Sequence, residues 1–371
     1  MAQRTTFLAA ALALLAGCST GPGPTGHSLP ANWDTELGAA RAVEPTQSIS
    51  LPSHLPAADA MAAASPKTTP VLPALTTADP GWVSLNGWAA QNGLHALRKI
   101  PLLPQVAYAI TTLNGVFAVR VGSQTAFWDQ LDVRLGFAPQ QIGDQIYLHP
   151  LDIKKTLEPL SRGLTMATSP SRVIVIDPGH GGLNPGTRSV VDGRNEKDFT
   201  LDWAKRLAPL LAQQGWQVFL TRTNDVDVSL PDRAALADAR HADLFLSLHF
   251  NAAASGSDPA GVETYCLTPT GMASSVTRGG YNDDVQQVFP NNAFDAENVQ
   301  YAVRLQRALL EVSGTTDRGV RRARYPAVLR GPNRPAVLIE GGYLSNPREA
   351  RKIADPAYRQ KLAEAVARAL E

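Results

Sequence analysis

The sequence predicts an α/β fold: a mostly parallel sheet flanked by helices, preceded by a small mostly-β domain and a disordered tether. Three observations predict it. From Arg172 onward, short apolar runs alternate with segments of helical period. Between residues 81 and 165, apolar runs are separated by turn dipeptides, with little helical pattern. Before residue 80, the chain is rich in Pro, Ala, Ser and Thr and poor in large apolar residues. Alternating strands and helices imply a largely parallel sheet covered on both faces.

Whole-chain properties narrow the function classes. With 371 residues and 44% hydrophobic content, the chain is long enough for two ordinary domains. A net charge of +1 argues against a general nucleic-acid binder, which would carry a basic field. Two cysteines, Cys18 and Cys266, make a disulfide framework implausible.

Residues 1–18 read as an export segment. Arg4 supplies a positive start, and Phe7 to Ala16 is apolar but short for a membrane span. The run closes in Leu15-Ala16-Gly17-Cys18, which resembles a bacterial lipobox. That resemblance implies lipidation of Cys18 and a membrane anchor; the alternative is an ordinary signal peptide with a chance cysteine. Ser19 resembles the residue that directs lipoproteins to the outer membrane. The expected location is therefore the cell envelope, on the periplasmic face of that membrane. Residues 19–80 cannot bury enough surface to offset chain entropy and read as a flexible tether.

In the 81–165 segment, runs such as Val116-Phe117-Ala118-Val119 and Ile146-Tyr147-Leu148 are punctuated by Asn114-Gly115 and Gly143-Asp144. The stretch resembles the amine-oxidase N-terminal-like modules of cell-envelope proteins and carries no catalytic signature. His95 and His149 have no clustered partners and read as surface or turn residues.

The third segment, 172–371, supplies the alternation. Strands are expected at Val173–Ile176, Gln217–Thr221, Asp243–Leu248 and Ala336–Ile339, with another in the alternating run Val262–Leu267 that buries Cys266 as a free thiol. Helices are expected at Phe199–Gln214, Pro231–Arg240, Val299–Val312 and Ala357–Leu370.

Ionisable residues close three of these strands: His180 in "IDPGHGG", His249 in "SLHFNA" and Glu340 in "IEGGYLSN". In open α/β sheets, groups at the carboxyl ends of strands converge on the ligand site. Glu196, in "GRNEKD", enters a helix on the same side. Two imidazoles and a carboxylate suit a catalytic zinc that leaves a position for water. His180, Glu196 and His249 would be the ligands, and Glu340 the general base. Taken singly, each has a plain alternative: His180 a turn residue, His249 a strand cap, Glu196 a helix N-terminal carboxylate. Glu340 is harder to dismiss, because an unpaired carboxylate directly after Val-Leu-Ile is costly to bury. His241, in "ARHAD", reads as a helix C-terminal cation.

The segments "IDPGHGG", "NEKD", "SLHFNA", "GVETY", "DRGVRRARYPAVLR" and "PAVLIEGGYLSN" resemble, in order and spacing, the zinc-dependent N-acetylmuramoyl-L-alanine amidases of the amidase-3 type. The resemblance covers 172–371. It implies zinc (Zn2+) as cofactor, peptidoglycan as substrate, and cleavage between N-acetylmuramic acid and the L-alanine of the stem peptide. It matches His180, Glu196 and His249 to the zinc ligands and Glu340 to the catalytic glutamate. Asn251 lies in the family's His-x-Asn turn, and Glu263 matches a recurrent glutamate; both are expected to shape the site or meet substrate. A protein activator is conceivable and unidentified. The rivals are another zinc hydrolase or peptidase acting within the stem peptide, and a non-catalytic wall-binding lipoprotein. One stretch departs from the family pattern: Met272–Glu297, rich in Gly, Asn and Asp, reads as an insertion beside the cleft that is mobile at its start and tunes access, with Phe289 and Phe294 available to pin its far half; a surface decoration without catalytic effect is the alternative.

Overall fold

The α/β half is built on strands that are apolar on both faces. In β9 (Arg172–Pro178), Ile174 and Ile176 enter one hydrophobic cluster while Val175 enters another. Strand β11 (Leu244–Asn251) repeats this, with Leu244, Leu246 and Leu248 on one side and Phe245 on the other. A strand that alternates between two cores must be covered twice, which is why neither strand shows a polar face. The computed structural model describes residues 81–371 apart from 103–104, 164–171, 254–257 and 279. The export segment, Cys18 and the tether lie outside the described residues, among which no helix is long and apolar enough to cross a membrane.

In chain order, the N-terminal elements are β1 (Val83–Ser84), α1 (Leu85–Gln91), β2 (Arg98–Leu102), β3 (Gln105–Thr112), β4 (Gly115–Val119), β5 (Thr125–Trp128), β6 (Leu131–Arg134), β7 (Gln140–Ile142) and β8 (Gln145–Leu148). A helical run follows: α2 (Pro150–Asp152), a π turn (Ile153–Leu157) and α3 (Glu158–Arg162). His149 caps α2, accepting from Leu151 N at 3.2 Å, and stacks on Phe137. After β9 come α4 (Glu196–Gln213), β10 (Trp216–Leu220), α5 (Leu230–Ala239), β11, β12 (Val262–Cys266), α6 (Asp295–Ser313), β13 (Asp317–Arg322), α7 (Ala327–Arg330), β14 (Ala336–Tyr343), α8 (Pro347–Ala354) and α9 (Pro356–Ala369).

The main sheet runs β10-β9-β11-β14-β12-β13-β6-β5-β4-β3-β2. Pairing is parallel from β10 to β14, antiparallel between β14 and β12, and parallel again through β13 to β6. Beyond β6 the strands form an antiparallel meander. The N-terminal strands therefore extend the sheet of the α/β half, joined at Val320 and Val133. Helices α4, α6 and α9 share one cluster with the first face; α5 and α7 share the other. Gln300 on α6 also donates to the carbonyls of Pro159 and Gly163, tying α3 to that layer.

Several elements overrun the expected bounds. Strands β11 and β14 continue through His249 and Glu340 to Asn251 and Tyr343. Apolar pattern fails at these residues, yet the backbone ladder persists, pairing His249 with Glu340. Helix α4 begins one turn early, at Glu196, and α6 begins at Asp295. Strand β13 and helix α8 were not expected; β13 reads "DRGVRR", with too few apolar residues to signal a strand.

Candidate active site

Three strand ends and one helix start meet at the carboxyl edge of the sheet. β9 ends at Pro178, and the chain turns sharply so that His180 points back over the edge. His180 adopts φ 62°, a conformation that a non-glycine residue takes only when its surroundings impose it. Two buried arginines impose it here. Arg233 donates to the carbonyls of Pro178 at 3.0 Å and His180 at 2.9 Å. Arg222 donates to those of Pro178 and Gly179, both at 2.9 Å. Arg233 also pairs with Asp177 at 2.7 Å. Burial alone would raise the Asp177 pKa; the Arg233 charge together with hydrogen bonds from Thr221, Arg233 and Ser247 more than offsets it, and the carboxyl stays below its usual range.

Gly179 is needed for space. A Cβ there would lie 2.2 Å from the His249 ring, closer than packed atoms can stand. Gly186 is needed likewise: its Cβ would sit 2.7 Å from both Glu196 and His180. Gly179 of "IDPGHGG" and Gly186 just beyond it thus leave room for the His180 turn and for the second ring that presses against it.

Glu196, the first residue of α4, bridges the two rings. His249 Nδ1 faces its Oε1 at 2.9 Å, and His180 Nε2 lies 3.0 Å from its Oε2. The ring centroids are 4.9 Å apart. Glu196 is oriented by backbone donors, Phe250 N on Oε1 and Thr187 N on Oε2, each at 3.0 Å. Asn184 Oδ1 fixes His180 through Nδ1 at 2.9 Å. The three candidate ligand atoms lie within 4.8 Å of one another, all from buried residues. Burial opposes charge on Glu196, but His180 and then His249 overcome it, so its pKa is strongly lowered. The Glu196 carboxylate conversely raises the pKa of His180 against burial, whereas burial leaves that of His249 lowered.

A cation fits this set. His180 Nε2 stands at ion-pair distance from Glu196 but satisfies no hydrogen bond, and Glu340 Oε2 is likewise buried without a partner. Buried polar atoms are rarely left so unless something else meets them. Two imidazoles and a carboxylate are the donor chemistry of a three-ligand zinc site.

Glu340 occupies the rung of β14 beside His249, and Glu263 of β12 occupies the rung beyond. Burial first, then the Glu196 charge, pushes the Glu340 pKa well above the usual carboxylate range. Glu263 organises the far side. Its Oε1 accepts from Asn251 Nδ2 at 2.5 Å, Tyr265 at 3.0 Å and Tyr343 at 3.2 Å. Its Oε2 faces Arg321 Nε at 3.3 Å and Arg318 Nε at 3.5 Å. Asn251 and Glu263 are thus brought together with each other and stand apart from the His-Glu-His set.

The insertion expected to be mobile is tied down at several points. Arg324, fully buried, donates to the carbonyls of Pro269 and Met272 and pairs with Asp283 at 2.8 Å. Asp283 in turn accepts from Ser274 N and Oγ. Tyr281 packs against the second cluster. From this segment Arg278 reaches inward and donates to Asn251 Oδ1 at 2.9 Å. Sequence reasoning missed Arg278, Arg222, Arg233 and Asn184. Only Asn184 had a local signal, its place four residues after His180. His241 sits where expected, in the turn after α5, beside Arg334.

Comparison with known proteins identifies relatives of this chain. A family model described as N-acetylmuramoyl-L-alanine amidase matches residues 174–371. The probable cell wall amidase LytH of Staphylococcus epidermidis is 35% identical over 209 residues, covering 56% of this chain and 60% of that protein. The N-acetylmuramoyl-L-alanine amidase AmiC of Escherichia coli O6:H1 is 29% identical over 214 residues, covering 52% of this chain and 51% of AmiC. The match thus spans about half the length of AmiC. Among solved structures, an N-acetylmuramoyl-L-alanine amidase from Clostridium difficile 630 is 35% identical, with a TM-score of 0.45, covering 54% of this chain and 95% of that one.

Proposed function

This chain belongs to the N-acetylmuramoyl-L-alanine amidase family, and on that premise we propose that it is a zinc-dependent peptidoglycan amidase. Its substrate is the amide between N-acetylmuramic acid and the L-alanine that begins the stem peptide. The observation that carries the reading is the pair of buried, unpartnered atoms, His180 Nε2 and Glu340 Oε2, at one sheet edge.

His180, Glu196 and His249 would hold the zinc, which supplies Lewis-acid charge to polarise the scissile carbonyl and acidify water. Glu340 does the proton work. It takes a proton from the attacking water and delivers it to the departing alanine nitrogen, which cannot leave as an anion. The clamp of Arg233 and Arg222 keeps His180 in its left-handed conformation, and the backbone donors of Thr187 and Phe250 keep both Glu196 oxygens aimed at the histidines.

Placement in the envelope belongs to the same proposal. Cys18 carries a lipid, residues 19–80 give reach from the membrane, and 81–165 brings its strands to the edge of the catalytic sheet. Digestion of purified peptidoglycan with and without a chelator, with mass analysis of products, tests the reading. It expects intact stem peptides beginning at L-alanine and free N-acetylmuramic acid ends, lost on chelation and restored by zinc. Stems cut from within would make the protein a peptidase; wall binding without any product would make it a non-catalytic binder.

A further inference from the structure

We propose that Arg278, carried by the insertion, is a substrate-binding residue that receives a carboxylate of the stem peptide on the side of Glu340 away from the metal-ligand set. This rests on the amidase reading and adds to it the chemistry of the leaving peptide.

The placement follows from the order of the strands. His249 on β11, Glu340 on β14 and Glu263 on β12 occupy adjacent rungs across the sheet. Arg278 donates to Asn251 Oδ1, a residue on the strand of His249 whose amide nitrogen reaches across to Glu263, and its guanidinium stands 5.5 Å from the centre of the Tyr325 ring. A substrate whose scissile bond sits between the ligand set and Glu340, and which continues past Glu340, would run toward Arg278.

The partnering of Arg278 points to an anion. Among the described residues it makes no ion pair at contact distance: its hydrogen-bond acceptor is a neutral amide oxygen, and the buried Glu340 and Glu263 carboxylates act on it only through space. The neighbouring arginines, Arg318 and Arg321, are both committed to Glu263. A half-buried guanidinium has five donors in a planar fork, and a carboxylate is the group that fills such a fork in pairs. The support beneath Arg278 is itself rigid. Glu263 draws on Asn251 Nδ2, which turns Asn251 Oδ1 toward Arg278, while two arginines and two tyrosines hold Glu263 still. A site that only excluded water would not need a charged side chain aimed in this way.

The test uses two probes: N-acetylmuramoyl-L-alanyl-D-glutamate, and the same compound with its glutamate carboxylates amidated. The zinc-loaded full chain is expected to prefer the acid form about 10- to 100-fold in kcat/KM, mostly through KM, the range for a charge-assisted hydrogen bond. Arg278→Ala should bring that ratio to near one, Arg278→Lys should retain part of it, and Arg278→Glu should invert it. Inversion cannot arise from a merely loosened loop, and melting curves of each variant check the fold. Equal losses on both probes in Arg278→Ala, or an unchanged preference in Arg278→Glu, would overturn the assignment. A wild-type protein that cleaves neither probe nor intact peptidoglycan defeats the amidase reading instead, and this proposal with it; cleavage of peptidoglycan with no acid preference defeats this proposal alone.

Discussion

The two sides of the candidate site are built differently. At one end, His180, Glu196 and His249 come from a strand–helix turn and a central strand, and backbone donors and buried arginines hold them. At the other, Asn251, Glu263 and Arg278 form a side-chain relay, one member of which comes from an irregular insertion. The first end is the kind of site that a parallel sheet makes by itself, since β9 leads to β10 on one side and the chain then returns to β11 on the other, which opens a crevice at the carboxyl ends between β9 and β11. The second must be assembled by long-range charge pairs. The difference teaches that the His-Glu-His end is fixed by the fold, while the Arg278 end depends on how the insertion is anchored.

The largest effect that would break this contrast is at the ligand set. In His249→Ala, metal content should fall sharply and activity should drop below detection, because one of three ligands and the partner of Glu196 are gone. Full metal retention by inductively coupled plasma analysis would remove His249 from the set. Next comes the turn. Gly179→Ala drives a methyl into the His249 ring at 2.2 Å. It should weaken zinc affinity about 10- to 100-fold, as changes behind a ligand do, and competition with a chromophoric chelator measures this. Unchanged affinity would mean that the ring moves aside freely.

The smallest effect on the metal is expected at the other end. Arg324→Leu leaves the acceptors on Pro269 and Met272 and the Asp283 carboxylate without their buried donor. Stability should fall by roughly 2–4 kcal/mol, read by denaturant melting, while zinc stoichiometry stays at wild-type level. Loss of zinc in a folded Arg324→Leu protein would show that the two ends are not independent.

Much of the first end was legible in the sequence because strand periodicity and chemistry coincide there. An apolar run that stops at a histidine or glutamate marks both a strand end and a reactive group. This marked His180, His249 and Glu340, with Glu196 added from its place at a helix entry on the same side, and the structure brings His180, Glu196 and His249 into one cluster with Glu340 on the neighbouring rung. It failed on strand length, since β11 and β14 run on past the charges where apolar pattern had ended. The second end was not legible. Glycine, asparagine and aspartate in 272–297 lower local structure, but Arg324, more than 40 residues beyond Asp283, supplies the order. A pairing between residues so distant leaves no periodic trace. Arg278 shares this fate: nothing near it in the sequence separates a surface arginine from one that reaches Asn251. The same holds for β13, whose arginines hide a strand.

The central claim is that Glu340 moves the proton while His180, Glu196 and His249 hold the metal, and one variant separates these roles. Glu340→Gln keeps the shape of the side chain and removes its basicity. Zinc stoichiometry and the rate of stem-peptide release from purified peptidoglycan should be measured on the same preparation. The account predicts zinc at wild-type level with a rate lowered about 10²- to 10⁴-fold. A zinc-loaded, folded Glu340→Gln protein that releases stem peptides at the wild-type rate, or one that has lost its zinc, would contradict it.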